Sequence, residues 1–236
     1  MFRWVEKPSS HGPSTRAAPE DVAEFQLLVS HDESPDALLF EHATAQLRVG
    51  DVIAYRMDRQ QVRHDLLRGK LHKISYGVLR YGHLAVIVAD PVKPAQLRIF
   101  SSESLKGPNV DEELSGLAHH DWDAYRLDQH PRLDGSRLAE FVRVALARAN
   151  RTRGYDFSGM FGLWNANLRP RSPEEIGNEY ICSSLVATAF YYAGVELDAI
   201  RHRALDLLTP LQVVSSRGRV VTLADVALEL EAAADE

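Results

Sequence analysis

His83-Leu-Ala-Val-Ile-Val-Ala-Asp90, then Pro91-Val-Lys-Pro-Ala95, then Leu97-Arg-Ile-Phe-Ser-Ser-Glu103 is the stretch on which the fold turns. Two runs rich in β-branched residues flank a Pro-containing turn, which is the signature of a hairpin. A turn centred on residue 93 sets His83 across the ladder from Glu103. Period-2 alternation then puts Leu84, Val86, Val88, Phe100 and Ser102 on one face and His83, Ala85, Ile87, Ile99 and Glu103 on the other. Both faces carry apolar side chains, so core is expected on both. Directly opposed residues hold their Cβ atoms about 5 Å apart, close enough for a carboxylate to orient an imidazole. Ser101 and Ser102 compete with Glu103 for that orienting place.

An imidazole placed this way has chemical meaning if a nucleophile faces it, and the chain has a single cysteine. Cys182 heads the apolar run Tyr180-Ile-Cys-Ser-Ser-Leu-Val-Ala-Thr-Ala-Phe-Tyr-Tyr-Ala-Gly194. Leu185, Ala189 and Tyr192 fall on one helical stripe, Val186, Phe190 and Ala193 on the next, and Gly194 sits where a C-terminal cap is expected. The N–H groups at such a helix start favour a thiolate and can lower a thiol pKa from about 8.5 to between roughly 3.5 and 7.5. The competing reading is a small residue that merely packs, because cysteine is among the most buried types.

Outward from these two elements, residues 1 to about 19 read as a flexible arm rich in Pro, Ser and charge. Asp21-Val-Ala-Glu-Phe-Gln-Leu-Leu-Val29 has helical potential, and a second apolar stretch follows at Ala37-Leu-Leu-Phe40. Residues 1–47 therefore form an expected N-terminal extension, flexible arm then helical segment, ahead of a main domain at 48–236. In that domain Arg48-Val-Gly-Asp-Val-Ile-Ala-Tyr55 predicts a strand after a turn, and Ala124-Tyr-Arg-Leu127 another. Arg137 to Ala149 predicts an amphipathic helix with Leu138, Phe141, Val142, Val144, Ala145 and Ala149 inward. Val213-Val214 and Val220-Val221-Thr222 predict short strands around Arg217-Gly218, and Leu223 to Ala234 an acidic terminal helix.

The 236 residues are 45% hydrophobic and 25% charged, an ordinary globular composition. A net charge of −6 argues against a nucleic-acid partner. From Arg56 to Arg80, however, seven Arg or Lys face two Asp, with Leu66, Leu67, Leu71 and Ile74 interleaved. This basic amphipathic helix either covers the core or makes peripheral contact with an anionic surface. No apolar run approaches a membrane span, and the N-terminus lacks the apolar core of a secretory signal, so a cytoplasmic protein, or one exported without a classical signal peptide, is expected. One cysteine excludes a multi-cysteine zinc site. His119-His120-Asp121 is the rival source of a base or a metal pair, but neighbouring side chains of an extended segment point apart and no third ligand accompanies them. Ser183 and Ser184 lack the Gly-X-Ser-X-Gly elbow, and no Gly-rich phosphate loop exists, so no cofactor or metal is expected.

The order Gly50-Asp51-Val-Ile, Gly82-His83-Leu-Ala-Val-Ile-Val, Tyr155-Asp156, Tyr180-Ile-Cys182-Ser183 and Thr209-Pro210 resembles the YiiX-like, circularly permuted branch of the NlpC-type papain-like cysteine hydrolases. The resemblance spans about residues 48 to 215. It implies an α+β, papain-like fold with a small antiparallel sheet or half-barrel packed against helices, and a bacterial origin. It further implies Cys182 as nucleophile, His83 as base and Glu103 as acidic third member, with Tyr180, Ser183 and Tyr155 at the oxyanion or substrate-binding site. Where family members often show Tyr-Cys-Ser-Glu, Ile181 here separates Tyr180 from Cys182, and Ser184 stands in place of the Glu. The expected activity is hydrolysis of an amide in a cell-wall-type peptide or related substrate. A lipid acyl hydrolase or acyltransferase on the same Cys-His site, with Phe157 to Trp164 lining an acyl pocket, and a non-catalytic binding module on the same fold are the alternatives.

Overall fold

The computed structural model describes residues 22–33, 37–57, 80–103, 106–127, 133–152, 167–178, 180–201 and 208–220. The N-terminal arm, the body of the basic helix, Tyr155, Phe157 to Trp164 and the acidic C-terminal helix expected from sequence lie outside these residues.

The protein is α+β, built on one eight-stranded sheet in which every neighbouring pair is antiparallel. In chain order the elements are β1 (Val22–His31), α1 (Ala37–Thr44), β2 (Val52–Arg56), β3 (Tyr81–Ala89), β4 (Leu97–Glu103), β5 (Gly107–Glu113), a 3-10 turn (Leu114–His119) and β6 (Trp122–Leu127). Then come α2 (Gly135–Thr152), α3 (Cys182–Tyr192), β7 (Val195–Leu197), α4 (Asp198–Arg201), α5 (Pro210–Val214) and β8 (Arg217–Val220). The spatial order of the strands is β5-β4-β3-β2-β6-β1-β8-β7.

The hairpin register is the one read from the sequence. Ala85 pairs with Ser101, Val86 with Phe100 and Ile87 with Ile99, and the same offset carried to the strand end sets His83 opposite Glu103. The two faces also divide as the alternation requires. Leu84, Val86, Val88 and Phe100 join Val52 and Ala54 under α2 and α3, where Leu138, Phe141, Val142 and Ala145 point inward. Ala85, Ile87 and Ile99 join Ile53, Trp122 and Ala124 beneath α1 and the 3-10 turn. Each fully buried aliphatic or aromatic side chain contributes about 1.5–3 kcal/mol relative to exposure, which makes β3, covered on both faces, the anchor of the sheet.

Two expectations are overturned. Residues 22–29 do not make the expected helix; Val22–His31 is a strand pairing with β6 on one side and β8 on the other. Its alternation is clean over Ala23, Glu24, Phe25 and Gln26, but a bulge between Leu27 and Val29 breaks the period and produces the helix-like run Leu27-Leu28-Val29. Val213-Val214 is helical, because Thr209 caps α5: its Oγ1 accepts the Gln212 N–H at 3.2 Å, Gln212 Oε1 accepts the Thr209 N–H at 2.8 Å, and Pro210 opens the first turn. Leu208, just before that cap, accepts the Ser183 hydroxyl through its carbonyl, tying α5 to the start of α3.

The Gly50-Asp51 motif has a structural role. Gly50 turns with φ +93, and the buried Asp51 carboxylate takes Arg126 through two bonds of 2.8 Å and the Arg48 N–H at 2.7 Å. A fork-on-carboxylate pair of this kind fixes the chain entering β2 against β6.

Candidate functional site

At the end of β3 and β4 where the chain enters β3 and leaves β4, a cleft of about 830 Å³ opens, lined by His83, Glu103, Tyr55, Glu112, His120 and Lys106 among others, with no aliphatic side chain among the described residues that line it. The His83 ring lies 5.4 Å, centroid to centroid, from Tyr55, and Tyr55 lies 5.4 Å from His120. The Tyr55 hydroxyl donates to Glu112 Oε2 at 3.0 Å. Burial, reinforced by the Glu112 charge, raises the Tyr55 pKa and keeps that phenol protonated. The His83 pKa is lowered: burial is the largest cause, the His120 charge adds to it, and the Glu103 carboxylate opposes it. His83 is thus held as a neutral imidazole near neutral pH, the form that accepts a proton.

Cys182 is the first residue of α3, half-buried, with Ile181 as N-cap. Ser184 accepts the Ile181 N–H at 3.1 Å through Oγ, so it performs the reach-back that a Glu at that position performs in a capping box. The helix start does not make a ready thiolate. Burial pushes the Cys182 thiol up, and the backbone N–H groups of Leu84, Ser183 and Cys182 itself only offset part of that. Burial and these backbone N–H groups, rather than the His83 imidazole, account for the direction of that shift.

The reason lies in the strand alternation. His83 shares the face of Ala85 and Ile87, whereas Cys182 packs with the cluster on the opposite face, that of Leu84 and Val86. Leu84, whose backbone N–H bears on the thiol, is the next residue along the chain from His83. His83 and Glu103 therefore share one cleft, and Cys182 stands behind the end of β3.

Tyr180 is fully buried, its ring 6.0 Å from Phe141, its hydroxyl accepting the Gly177 N–H at 2.7 Å and its carbonyl accepting Ser102 Oγ at 2.5 Å. Its phenol is spent on the loop before α3, and burial keeps it protonated. The Ser183 hydroxyl is likewise spent on Leu208, leaving its N–H facing the thiol. Ser102, a competitor of Glu103 in the sequence, is committed to Tyr180. Tyr55, Glu112 and Lys106 carry no sequence motif; only the pairing of Tyr55 with His83 in the β2–β3 ladder and the position of β5 beside β4 bring them in. No group of three or more His, Cys, Asp or Glu among the described residues is arranged to hold a metal ion. No helix among them is long and apolar enough to cross a membrane.

Comparison with family models, with curated proteins and with solved structures returns no match to this chain.

Proposed function

We propose that the chain is a papain-like thiol hydrolase of the permuted NlpC type that cleaves an amide bond in a peptide-like substrate. The observation that carries the reading is the hairpin register, whose offset sets a neutral His83 opposite Glu103 in a polar cleft, next along β3 to Leu84, whose backbone N–H bears on the Cys182 thiol. The imidazole crosses the exposed strand end at Gly82 and takes the thiol proton as Cys182 attacks the amide carbonyl. The N–H groups at the start of α3 receive the oxyanion. His83 returns the proton to the leaving amine, and a water activated by the same imidazole releases the acyl group as a carboxylic acid. A cleft lined by charged and polar groups favours a peptide amide over a lipid acyl chain, which needs an apolar channel.

The reading is tested by iodoacetamide alkylation of Cys182 against pH, followed by hydrolysis of a panel of cell-wall peptides. Alkylation that slows in His83→Ala, and hydrolysis lost in both Cys182→Ala and His83→Ala, is the expected result. Hydrolysis unchanged in either variant overturns it. The raised thiol pKa favours one second reading, a non-catalytic binding module, for which alkylation is slow at neutral pH and indifferent to His83.

A further inference from the structure

Lys106 stands at the turn from β4 to β5, half-exposed, with its Nζ 3.2 Å from Glu103 Oε2 and 3.5 Å from Asp111 Oδ2. Glu103 is the carboxylate that attracts a proton to His83, and Lys106 lines the same cleft. The same carboxylate thus faces an imidazole on one side and an ammonium on the other. A lysine paired this way both fixes the carboxylate and takes up part of its field. We infer that Lys106 is a positioning residue for His83, holding the Glu103 carboxylate at the end of β4 and drawing its charge away from the imidazole. The inference rests on His83 being the base of the proposed site.

Among the described residues, the charged and titratable groups that line the cleft with His83 are Tyr55 and Arg56 from β2, Glu103 from β4, Lys106 from the turn, Asp111 and Glu112 from β5, and His120 after the 3-10 turn. Of the cations among the described residues, Lys106 is the one paired with Glu103; Arg56 is turned to Asp32 at 2.6 Å and to the His31 carbonyl. Asp111 shares the ammonium with Glu103, so the lysine is clamped between β4 and β5 rather than hanging free. Loss of Lys106 frees the Glu103 carboxylate for the imidazole and removes a like charge, and both changes move the His83 titration upward.

The experiment is an NMR titration of the His83 Cε1–H in the full chain, the resonance assigned by its disappearance in His83→Gln. Lys106→Met is expected to raise the midpoint by roughly 0.3 to 1 pH unit at low salt, and Lys106→Arg to leave it at the wild-type value. Glu103→Gln is expected to lower the midpoint, and in that background Lys106→Met to give a smaller shift, because its effect runs through the carboxylate. A midpoint unmoved or lowered by Lys106→Met overturns the inference. So does a shift of equal size in the Glu103→Gln background, which would make Lys106 a bare distant charge. Turnover and Cys182 are not needed for this readout, so failure of the hydrolase reading and failure of the Lys106 role show up in different measurements.

Discussion

The two faces of the sheet at the end of β3 use the same strand for opposite purposes. On the face of Leu84 and Val86 the side chains are dry and interlocked under α2 and α3, and the one thiol of the chain sits at the margin of that core with its pKa pushed up. On the face of His83 the sheet opens into a cleft of charged groups, phenol and imidazole. One residue of alternation separates them. The comparison shows that a period-2 strand sets a thiol and an imidazole close along the chain while giving each a different medium.

The dry face should be the more fragile to truncation. Phe141 is fully buried with rings of Phe100, Tyr180 and Tyr192 within 6.0–6.3 Å, so Phe141→Ala should cost about 3–5 kcal/mol, read from the urea midpoint at unchanged slope. A loss below about 1 kcal/mol would mean the two faces do not differ in this way. At the junction, Ser184→Ala removes the acceptor for the Ile181 N–H and should cost about 1 kcal/mol, with alkylation of Cys182 altered because the helix start loosens. On the wet face, Tyr55→Phe removes one part-buried bond to Glu112 and should cost no more than about 1 kcal/mol. A cost as large as that of Phe141→Ala would show that the cleft is a second core.

What the sequence disclosed follows the same division. The hairpin, its register and the assignment of residues to faces were legible because β3 and β4 are regular and buried on both sides, so every side chain carries periodic information. The cysteine helix was legible by its apolar run and its Gly194, which indeed turns with φ +95. Strand β1 was hidden by its bulge, and β5, Gly107-Pro-Asn-Val-Asp-Glu-Glu113, by an edge position that demands no apolar alternation. The cleft partners Glu112 and Lys106 arrive with β5 and its turn, and were missed with it. The Thr209-Pro210-Leu-Gln212 cap was present in the sequence, but two β-branched valines outweighed it. Cys182 and His83 were each placed by their local elements; which face of the sheet each occupies relative to the other depends on how α3 packs, and no local pattern encodes that.

The smallest expected effect is also the one that most directly compares the two media. His83 is buried enough that its folded-state pKa lies below the ordinary value of 6.5. Above 6.5 the imidazole is neutral in both states and contributes no pH dependence. As the pH falls through 6.5 the unfolded chain takes up a proton that the folded protein still refuses, so stability is lost down to the folded-state pKa and then levels off. His83→Gln should therefore show a flatter stability profile than the wild type between pH 6.5 and the His83 folded-state midpoint, with the two curves parallel at higher pH. Glu103→Gln should steepen the wild-type slope and extend it to lower pH, since the carboxylate is what restrains the downward shift. Curves that remain parallel throughout would place His83 in water, and the strand end would then have no medium of its own to set against the core behind it.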